Sequence, residues 1–128
     1  MDNVFEVKDP MNTYVTLTEK TWNEHIACDF GHPEMREHIE EIKDAIIDPD
    51  FIFESHDSNP PLDMRFLYVK NVEEGTYTLS TKRQWCTKVV STAGGNRAEV
   101  ITAFPAPVQK DHVQGTKGEP IYEASRNG

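Results

Sequence analysis

Apolar positions recur along this chain in two periods, one helical near the N-terminus and one typical of strands further on. The helical period is clearest where apolar residues are spaced by four, three and four positions, at Met35, Ile39, Ile42 and Ile46. This spacing places them on one face of a helix. Pro33 suits its first turn, and Asp48-Pro49 ends it. The pattern predicts one amphipathic helix from Pro33 to Asp48.

A shorter helix is predicted just before it. Thr18 is a suitable N-cap, and Glu19 follows in the first turn, where the helix dipole favours a negative charge. Trp22 and Ile26 follow at helical spacing, and Asp29-Phe30-Gly31 ends the element. We expect about two turns.

Beyond residue 50 the pattern alternates, as in strands. Strands are predicted at 51–55, 64–70, 84–92 and 98–104, in addition to a short one at 14–17 and a final one at 120–123. Ala93 to Asn96 reads as a hairpin turn, and Pro105 and Pro107 are expected to end the strand before them. Helices first and a meander of strands afterwards predict an α+β fold with an antiparallel sheet.

The charge is unevenly distributed. The net charge is −9, but residues 1–64 hold 16 acidic and 4 basic side chains, a net charge of −12. Residues 65–128 hold 6 acidic and 9 basic side chains, a net charge of +3. The acidic half is either a solvated surface that aids solubility or a surface that binds a basic partner. The basic half is the part suited to phosphate groups.

The remaining composition indicates a cytoplasmic protein. No signal peptide is visible, and no apolar run approaches the roughly 20 residues that span a bilayer. The two cysteines, Cys28 and Cys86, are too few for a disulfide framework. We therefore expect one reduced domain without a membrane partner.

Two histidines stand on either side of a glycine-containing turn. His25 is expected at the end of the first helix and His32 at the start of the second. Imidazole can exchange protons near neutral pH, so the pair indicates acid–base chemistry. The alternatives are a packed core histidine at 25 and a plain helix cap at 32. A zinc site is a further alternative, formed by His25, Cys28 and His32 with Cys86, although the spacing matches no common zinc motif.

Cationic candidates lie on the strands. Arg65 begins one strand, and Lys88 lies inside another, on the face opposite to Trp85, Thr87 and Val89. Lys88 either points to solvent or contacts a phosphate. Thr102 offers a hydroxyl to a phosphate oxygen, although threonine is also simply common in strands.

Several short blocks occur together and in order between Tyr14 and Pro107. They are Trp22 with His25, His32-Pro33-Glu34-Met35, Pro49-Asp50-Phe51 and Ile101-Thr102-Ala103-Phe104-Pro105. In this combination the chain resembles the phage-associated branch of the barnase/EndoU/colicin/RelE-like (BECR) nucleases. The resemblance divides the chain into an N-terminal arm (1–13), a nuclease domain (14–107) and a C-terminal tail (108–128). The chain departs from the family pattern at Phe30-Gly31, where the family tends to have a basic residue before the His-Pro-Glu block.

The resemblance implies N-terminal helices packed on a four-stranded antiparallel sheet, and a metal-independent endoribonuclease of phage or toxin type that uses no cofactor. It implies that His25 and His32 are the acid–base pair. Arg65 and Lys88 would stabilise the phosphorane charge, with Thr102 as an auxiliary phosphate contact. RNA would be the substrate, and an immunity or antitoxin protein a partner. The alternative is a non-catalytic module on the same fold whose acidic helices bind a basic host or phage protein.

Overall fold

The computed structural model describes residues 3–56, 64–77, 84–93, 95–108 and 120–124. Their strands are β1 (Asn3–Lys8), β2 (Tyr14–Thr18), β3 (Phe51–His56), β4 (Met64–Asn71), β5 (Trp85–Thr92), β6 (Arg97–Pro107) and β7 (Tyr122–Glu123). The helices are α1 (Glu19–Thr21), which continues into a π-helical turn (Trp22–Ile26), and α2 (Ile39–Ile47), which follows a 3-10 turn (Pro33–Met35). None of the helices in these ranges has the length and apolar character needed to cross a bilayer.

Seven strands in the described part of the chain form one mixed sheet, in the order β1-β2-β6-β5-β4-β3-β7. β2 and β6 run parallel, and the other neighbours are antiparallel. The predicted fold class, N-terminal helices packed on a four-stranded antiparallel sheet, is therefore wrong. The structure is mostly sheet with two short helices, because N-terminal strands join one edge of the sheet and β7 joins the other.

The N-terminal residues assigned to an arm contain β1. Phe5 and Val7 alternate with Glu6 and Lys8, and Phe5 lies opposite Leu17 in the register with β2. Phe5 is buried in the main core. The period of two in these few residues was the signal for a strand. At the other end of the chain, the strand predicted near residue 122 is confirmed by the pairing of β7 with β3.

The first predicted helix is present as α1 and the π-helical turn. Thr18 caps it as predicted, because its hydroxyl accepts a hydrogen bond from the backbone N–H of Thr21 at 3.1 Å. The single helix predicted from Pro33 to Asp48 is wrong, since it is broken between Met35 and Ile39. His38 leaves the helical region with φ −123° and ψ 34° and becomes the residue before α2.

Tertiary contacts explain that break. The Nδ1 atom of His38 lies 2.5 Å from Oε1 of Glu41, and its ring packs edge-on against Tyr77 at 4.6 Å between centroids. The Arg36 side chain instead contacts the preceding segment, where its Nε donates to the Ala27 carbonyl at 2.6 Å. The local pattern of apolar residues carries no information about these contacts. Periodicity alone therefore could not predict the break between Met35 and Ile39.

The sheet has two differently packed faces. On the helix face, α2 packs through Ile42, Ala45 and Ile46 against a buried core that includes Ile52, Tyr68, Val89 and Ala103. On the second face, a smaller cluster is formed by Phe53, Leu67, Val69, Cys86 and Ala106. Both clusters exclude water from β3, β4 and β5, which accounts for the apolar runs in these strands.

β6 differs from its prediction in two respects. It continues through Pro105 and Pro107, which pair with β5 opposite Thr87 and Trp85. These prolines are tolerated because β2 pairs only with residues 97–99, so among the described residues no strand needs an N–H from Pro105 or Pro107. β6 also contains a bulge, since Val90 lies opposite Thr102 whereas Ser91 lies opposite Val100, which leaves Ile101 as the extra residue.

A buried carboxylate ties the β1–β2 turn to the centre of the sheet. Asp9 accepts hydrogen bonds from the backbone N–H groups of Met11 and Thr13, at 2.8 and 2.9 Å. It also accepts one from the Tyr68 hydroxyl, at 2.6 Å. Burial raises the pKa of Tyr68 well above its ordinary value, and the Asp9 carboxylate raises it further. Tyr68 therefore remains a donor, and the turn is fixed to β4.

Candidate functional site

A tight turn joins the backbone segments that carry the two candidate histidines. The backbone N–H of Gly31 donates to the Cys28 carbonyl at 3.1 Å, and that of His32 donates to the Ile26 carbonyl at 2.7 Å. A Cβ atom on Gly31 would lie 2.4 Å from the backbone oxygen of His25. Because that neighbour is main chain and cannot yield as a side chain can, only glycine allows this approach. The turn thus holds the segment containing His32 against the end of the segment containing His25.

His25 is exposed and borders a shallow cleft. The cleft has a volume of about 240 Å³ and is lined by Thr21, His25, Thr92, Glu99, Val100 and Ile101. It joins the first helical segment to the bulged part of β6 and to the end of β5. An imidazole in this position has access both to solvent and to a ligand in the cleft.

His32 is half-buried beside the same strand. Its ring packs on Phe104 with centroids 5.2 Å apart and an interplanar angle of 31°. Its Nδ1 atom lies 3.5 Å from Oε1 of Glu34. Phe104 and Glu34 therefore orient the ring, and the carboxylate would pair with the imidazole whenever it carries a proton.

Thr102 lies between the positions on β6 that the two histidines approach. His25 borders the cleft at Ile101, and His32 packs on Phe104, so their contacts with β6 flank Thr102. Thr102 lies opposite Val90 on the second face. The structure therefore brings three of the sequence-predicted residues to one short stretch of β6, next to a bulge of the kind that often re-aims side chains.

Arg65 and Lys88 both lie on the second face of the sheet, and Lys88 is the more deeply buried of the two. Arg65 is opposite Thr92, which lines the cleft with His25. Lys88 is opposite Val69 on one side and Phe104 on the other, so it is one strand away from the ring that supports His32. Neighbouring strands are about 4.8 Å apart, which leaves Lys88 close to Phe104 but four positions along β5 from Thr92.

Lys88 is also buried, with only 8% of its surface exposed. Within the described ranges its side chain has no hydrogen-bond or ion-pair partner. Cys86, two positions earlier on the same face, is fully buried, and burial raises the pKa of its thiol to about 11, with the Lys88 charge acting in the opposite direction. A cation in apolar surroundings exerts a stronger field than one in water.

The residues of the zinc alternative do not assemble. Across the described part of the chain, no group of three or more His, Cys, Asp or Glu side chains has an arrangement that could hold a metal ion. The Cys28 thiol instead donates to the Glu24 carbonyl at 3.2 Å, and Cys86 lies in the apolar cluster of the second face. Both thiols are free.

Several residues of this site were not singled out by the sequence reasoning. Phe104 orients His32, Thr92 and Glu99 line the cleft, and Gly31 permits the turn. Thr92 also accepts a hydrogen bond from the Glu99 backbone N–H at 3.0 Å, which closes the bulged hairpin. The glycine beside His32 was the one visible signal, since the other contacts join residues far apart in sequence.

A second, more polar cleft lies beside α2. It has a volume of about 630 Å³ and is lined by Glu41, Asp44, Lys70, Asn71, Val72, Glu73 and Thr76. Lys70 Nζ is held by Asp48, with 2.8 Å to its backbone oxygen and 2.9 Å to Oδ2, and lies 3.5 Å from Asp44 Oδ2. Carboxylates outnumber the cation in this cleft.

Comparison with known proteins adds no relative. No protein-family model matches the chain, and searches of curated proteins and of solved structures found no match. The interpretation of the site therefore depends on its own geometry.

Proposed function

We propose that this chain is a small metal-independent endoribonuclease of phage or toxin type. The observation that carries the proposal is the turn at Gly31, which brings His25 and His32 to one stretch of β6 beside Thr102. RNA cleavage by internal attack uses a general base, a general acid and groups that stabilise negative charge, and two imidazoles, a hydroxyl and a cation can fill these roles.

The proposed reaction begins with proton transfer from a ribose 2′-hydroxyl to neutral His25, which is exposed beside the cleft. The 2′-oxygen forms a bond to the adjacent phosphorus, and the bond from phosphorus to the 5′-oxygen breaks. Protonated His32, paired with Glu34, gives its proton to the leaving 5′-oxygen. The products are a 2′,3′-cyclic phosphate and a 5′-hydroxyl.

Arg65, Lys88 and Thr102 would stabilise the negative charge that develops on the phosphate during the reaction. Arg65 lies two strands from β6 on the second face, and Lys88 lies opposite Phe104, so both are on the side of the sheet where the phosphorane would form. The Thr102 hydroxyl would contact a non-bridging phosphate oxygen. Such donors lower the barrier where negative charge develops, and they act most strongly where water is scarce.

The proposed setting is the cytoplasm, because both cysteines are free thiols, and the proposed partners are RNA and an immunity or antitoxin protein. An exposed acid–base pair of this kind would need such a protein to block it in the producing cell.

The test is incubation of the chain with RNA in EDTA. Cleavage that survives chelation and leaves 2′,3′-cyclic ends supports the proposal. We expect His25→Ala and His32→Ala each to lower the rate by about 10²- to 10⁴-fold, the usual contribution of a positioned acid or base. The thermal midpoint should change little for His25→Ala, since that side chain is exposed.

His38→Ala is the matched control, since His38 packs on Tyr77 at the helix face, away from the cleft. It should retain cleavage at temperatures where it is folded. Full activity in both His25→Ala and His32→Ala would contradict the proposed mechanism.

A second candidate function is favoured by the cleft beside α2. Glu41, Asp44 and Glu73 line it, and the Asp44 side chain is more than half exposed. A non-catalytic module could bind a basic host or phage protein there. The variant carrying Glu41→Gln, Asp44→Asn and Glu73→Gln should lose such a partner in a pull-down but keep RNA cleavage if the two functions are separate.

A further inference from the structure

Phe30 is the most exposed large apolar side chain in the described part of the molecule. Its exposure is 102% of the reference value, whereas Tyr14, Ile47, Met64 and Ile121 range from 37% to 47%. Among the described residues, none shields this side chain from solvent. Single exposed apolar residues are common and need no explanation by themselves. What distinguishes Phe30 is its position in the turn next to His32, where its ring is available to a ligand bound at the candidate site.

The turn that presents this ring is firmly held. Arg36 donates from Nε to the Ala27 carbonyl and from Nη2 to Asp29 Oδ1, both at 2.6 Å. On the other side, Gly31 is pressed against the backbone of His25. Phe30 lies between these two anchors. Since the backbone is already fixed, little ordering entropy remains to be lost when a ligand contacts the ring.

The position of the ring relative to the proposed cleavage centre indicates its ligand. Phe30 is two residues from His32, so their Cα atoms are at most about 7 Å apart. A phosphate held at His32 would bring a neighbouring base to the ring. Aromatic side chains stack on bases that are unpaired, whereas the faces of bases inside a duplex are already covered.

Building on the proposed ribonuclease function, we propose that Phe30 stacks on an unpaired base next to the scissile phosphate and thereby selects single-stranded RNA. A phenyl ring has no hydrogen-bonding group, so it recognises the face of a base and not its identity. The chain would then choose its substrate by strandedness, with little discrimination among the four bases at this position.

The test measures binding separately from cleavage. The probe is a fluorescein-labelled single strand of about ten nucleotides, within the size that such sites cover, with 2′-O-methyl ribose throughout. This sugar cannot supply the attacking hydroxyl, so the probe stays intact. Anisotropy titrations compare the unaltered chain with Phe30→Ala, Phe30→Leu and Phe30→Trp, and a duplex of the same sequence serves as the second probe.

We expect Phe30→Ala and Phe30→Leu to weaken single-strand binding by about 5- to 150-fold, which corresponds to the roughly 1–3 kcal/mol of one stacked base. Phe30→Trp should retain the affinity, and emission of the added indole should be quenched by the probe. The duplex should bind weakly and without dependence on residue 30. Because Phe30 is exposed, all three variants should unfold at nearly the same temperature as the unaltered chain.

Equal single-strand affinity in all four proteins would overturn the proposal, and so would the absence of single-strand binding by the unaltered chain. Capture of a protein partner that depends on Phe30, with RNA affinity unchanged, would also overturn it. The two proposals fail separately. RNA cleavage without an effect of Phe30 removes only the stacking role, whereas binding that depends on Phe30 without cleavage of natural RNA removes only the nuclease.

Discussion

The two faces of the sheet bury side chains in different ways. On the helix face, α2 covers an apolar core in which buried polar groups have partners, as in the bond of 2.5 Å between the Tyr77 and Thr87 hydroxyls. On the second face, Lys88 is buried two positions from Cys86 of the apolar cluster and has no hydrogen-bond partner in the described ranges. The neighbouring strand, β6, carries Phe104, on which the His32 ring packs.

This difference separates stability from chemistry. A buried polar group with a full set of partners fixes a structure, because losing one partner leaves the other unsatisfied. Burial of a cation is unfavourable for folding unless the charge is paired, so Lys88 is the residue of the second face at which a cost to stability and a role in binding can be compared. We therefore expect substitutions on the helix face to act on folding and substitutions on the second face to act on RNA.

The largest expected effect on stability is at Ile46, which is fully buried where α2 meets the sheet. Ile46→Ala should lower the free energy of unfolding by about 2–5 kcal/mol, since it removes apolar contacts and leaves a cavity. Urea denaturation followed by tryptophan emission measures this change. The exposed neighbour Ile47 provides the control, because Ile47→Ala should shift stability much less. Equal effects at the two positions would contradict the assigned helix face.

Gly31→Ala should mainly affect the second face. The added Cβ cannot fit 2.4 Å from the His25 oxygen, so the turn must move and the two imidazoles with it. A displacement of about 1 Å can lower a rate by roughly 10²-fold, which we expect for cleavage. Cys28→Ala in the same turn is the control and should retain most of the activity. Unchanged cleavage in Gly31→Ala would show that the turn does not position the histidines.

The two faces should begin to lose stability at different alkaline pH values. Burial raises the pKa of Cys86 to about 11 on the second face and that of Tyr77 to about 12 on the helix face. A group whose pKa is higher in the folded state retains its proton there after the unfolded chain has lost it. Stability is therefore full below the unfolded pKa and declines as pH rises.

The Cys86 contribution should begin to decline near pH 9 and the Tyr77 contribution near pH 10, each by up to about 3 kcal/mol. Denaturation at stepped pH values measures both. In Cys86→Ala the earlier decline should be absent while the later one remains. In Tyr77→Phe the later decline should become smaller but not vanish, because the pKa of Tyr68 is also raised by burial. A stability that rises between pH 9 and 11 would be the wrong sign.

The smallest effect on stability is expected for Lys88→Met. Methionine fills a similar volume without a charge, so the free energy of unfolding should stay within about 1 kcal/mol or increase. The RNA cleavage rate should nevertheless fall by about tenfold, because a cation facing the proposed phosphorane is lost. A clear loss of stability, with the rate unchanged, would make Lys88 a structural residue and remove the contrast between the faces.

Local signals in the sequence were sufficient for most strands and for one cap. Thr18 capped α1 as predicted, and the alternation at 51–55, 64–70 and 84–92 gave β3, β4 and β5 within a few residues. Local signals failed where contacts with residues distant in sequence determine the end of a helix or strand. The break before Ile39 depends on Tyr77 and the turn at Ala27. Pro105 did not end β6 because β2, the described neighbour on that side, pairs only with residues 97–99.

The candidate site shows the same division. His25, His32, Arg65, Lys88 and Thr102 could be chosen from side-chain chemistry and from the family resemblance, which provide residue types and no distances. That His25 and His32 flank Thr102 follows from Gly31, Phe104 and the bulge at Ile101. That Lys88 is buried follows from the packing of three strands around it.

The sequence by itself determined most of the strand segments, with β1 missed, the start of α1, and the side-chain types from which the site candidates were chosen. These properties depend on residues a few positions apart, whose geometry the backbone fixes. Only the tertiary structure decided the mixed seven-stranded order, the parallel pairing of β2 with β6 and the exposure of Phe30. These depend on which distant surfaces meet, and many pairings bury similar apolar area until the whole chain has folded.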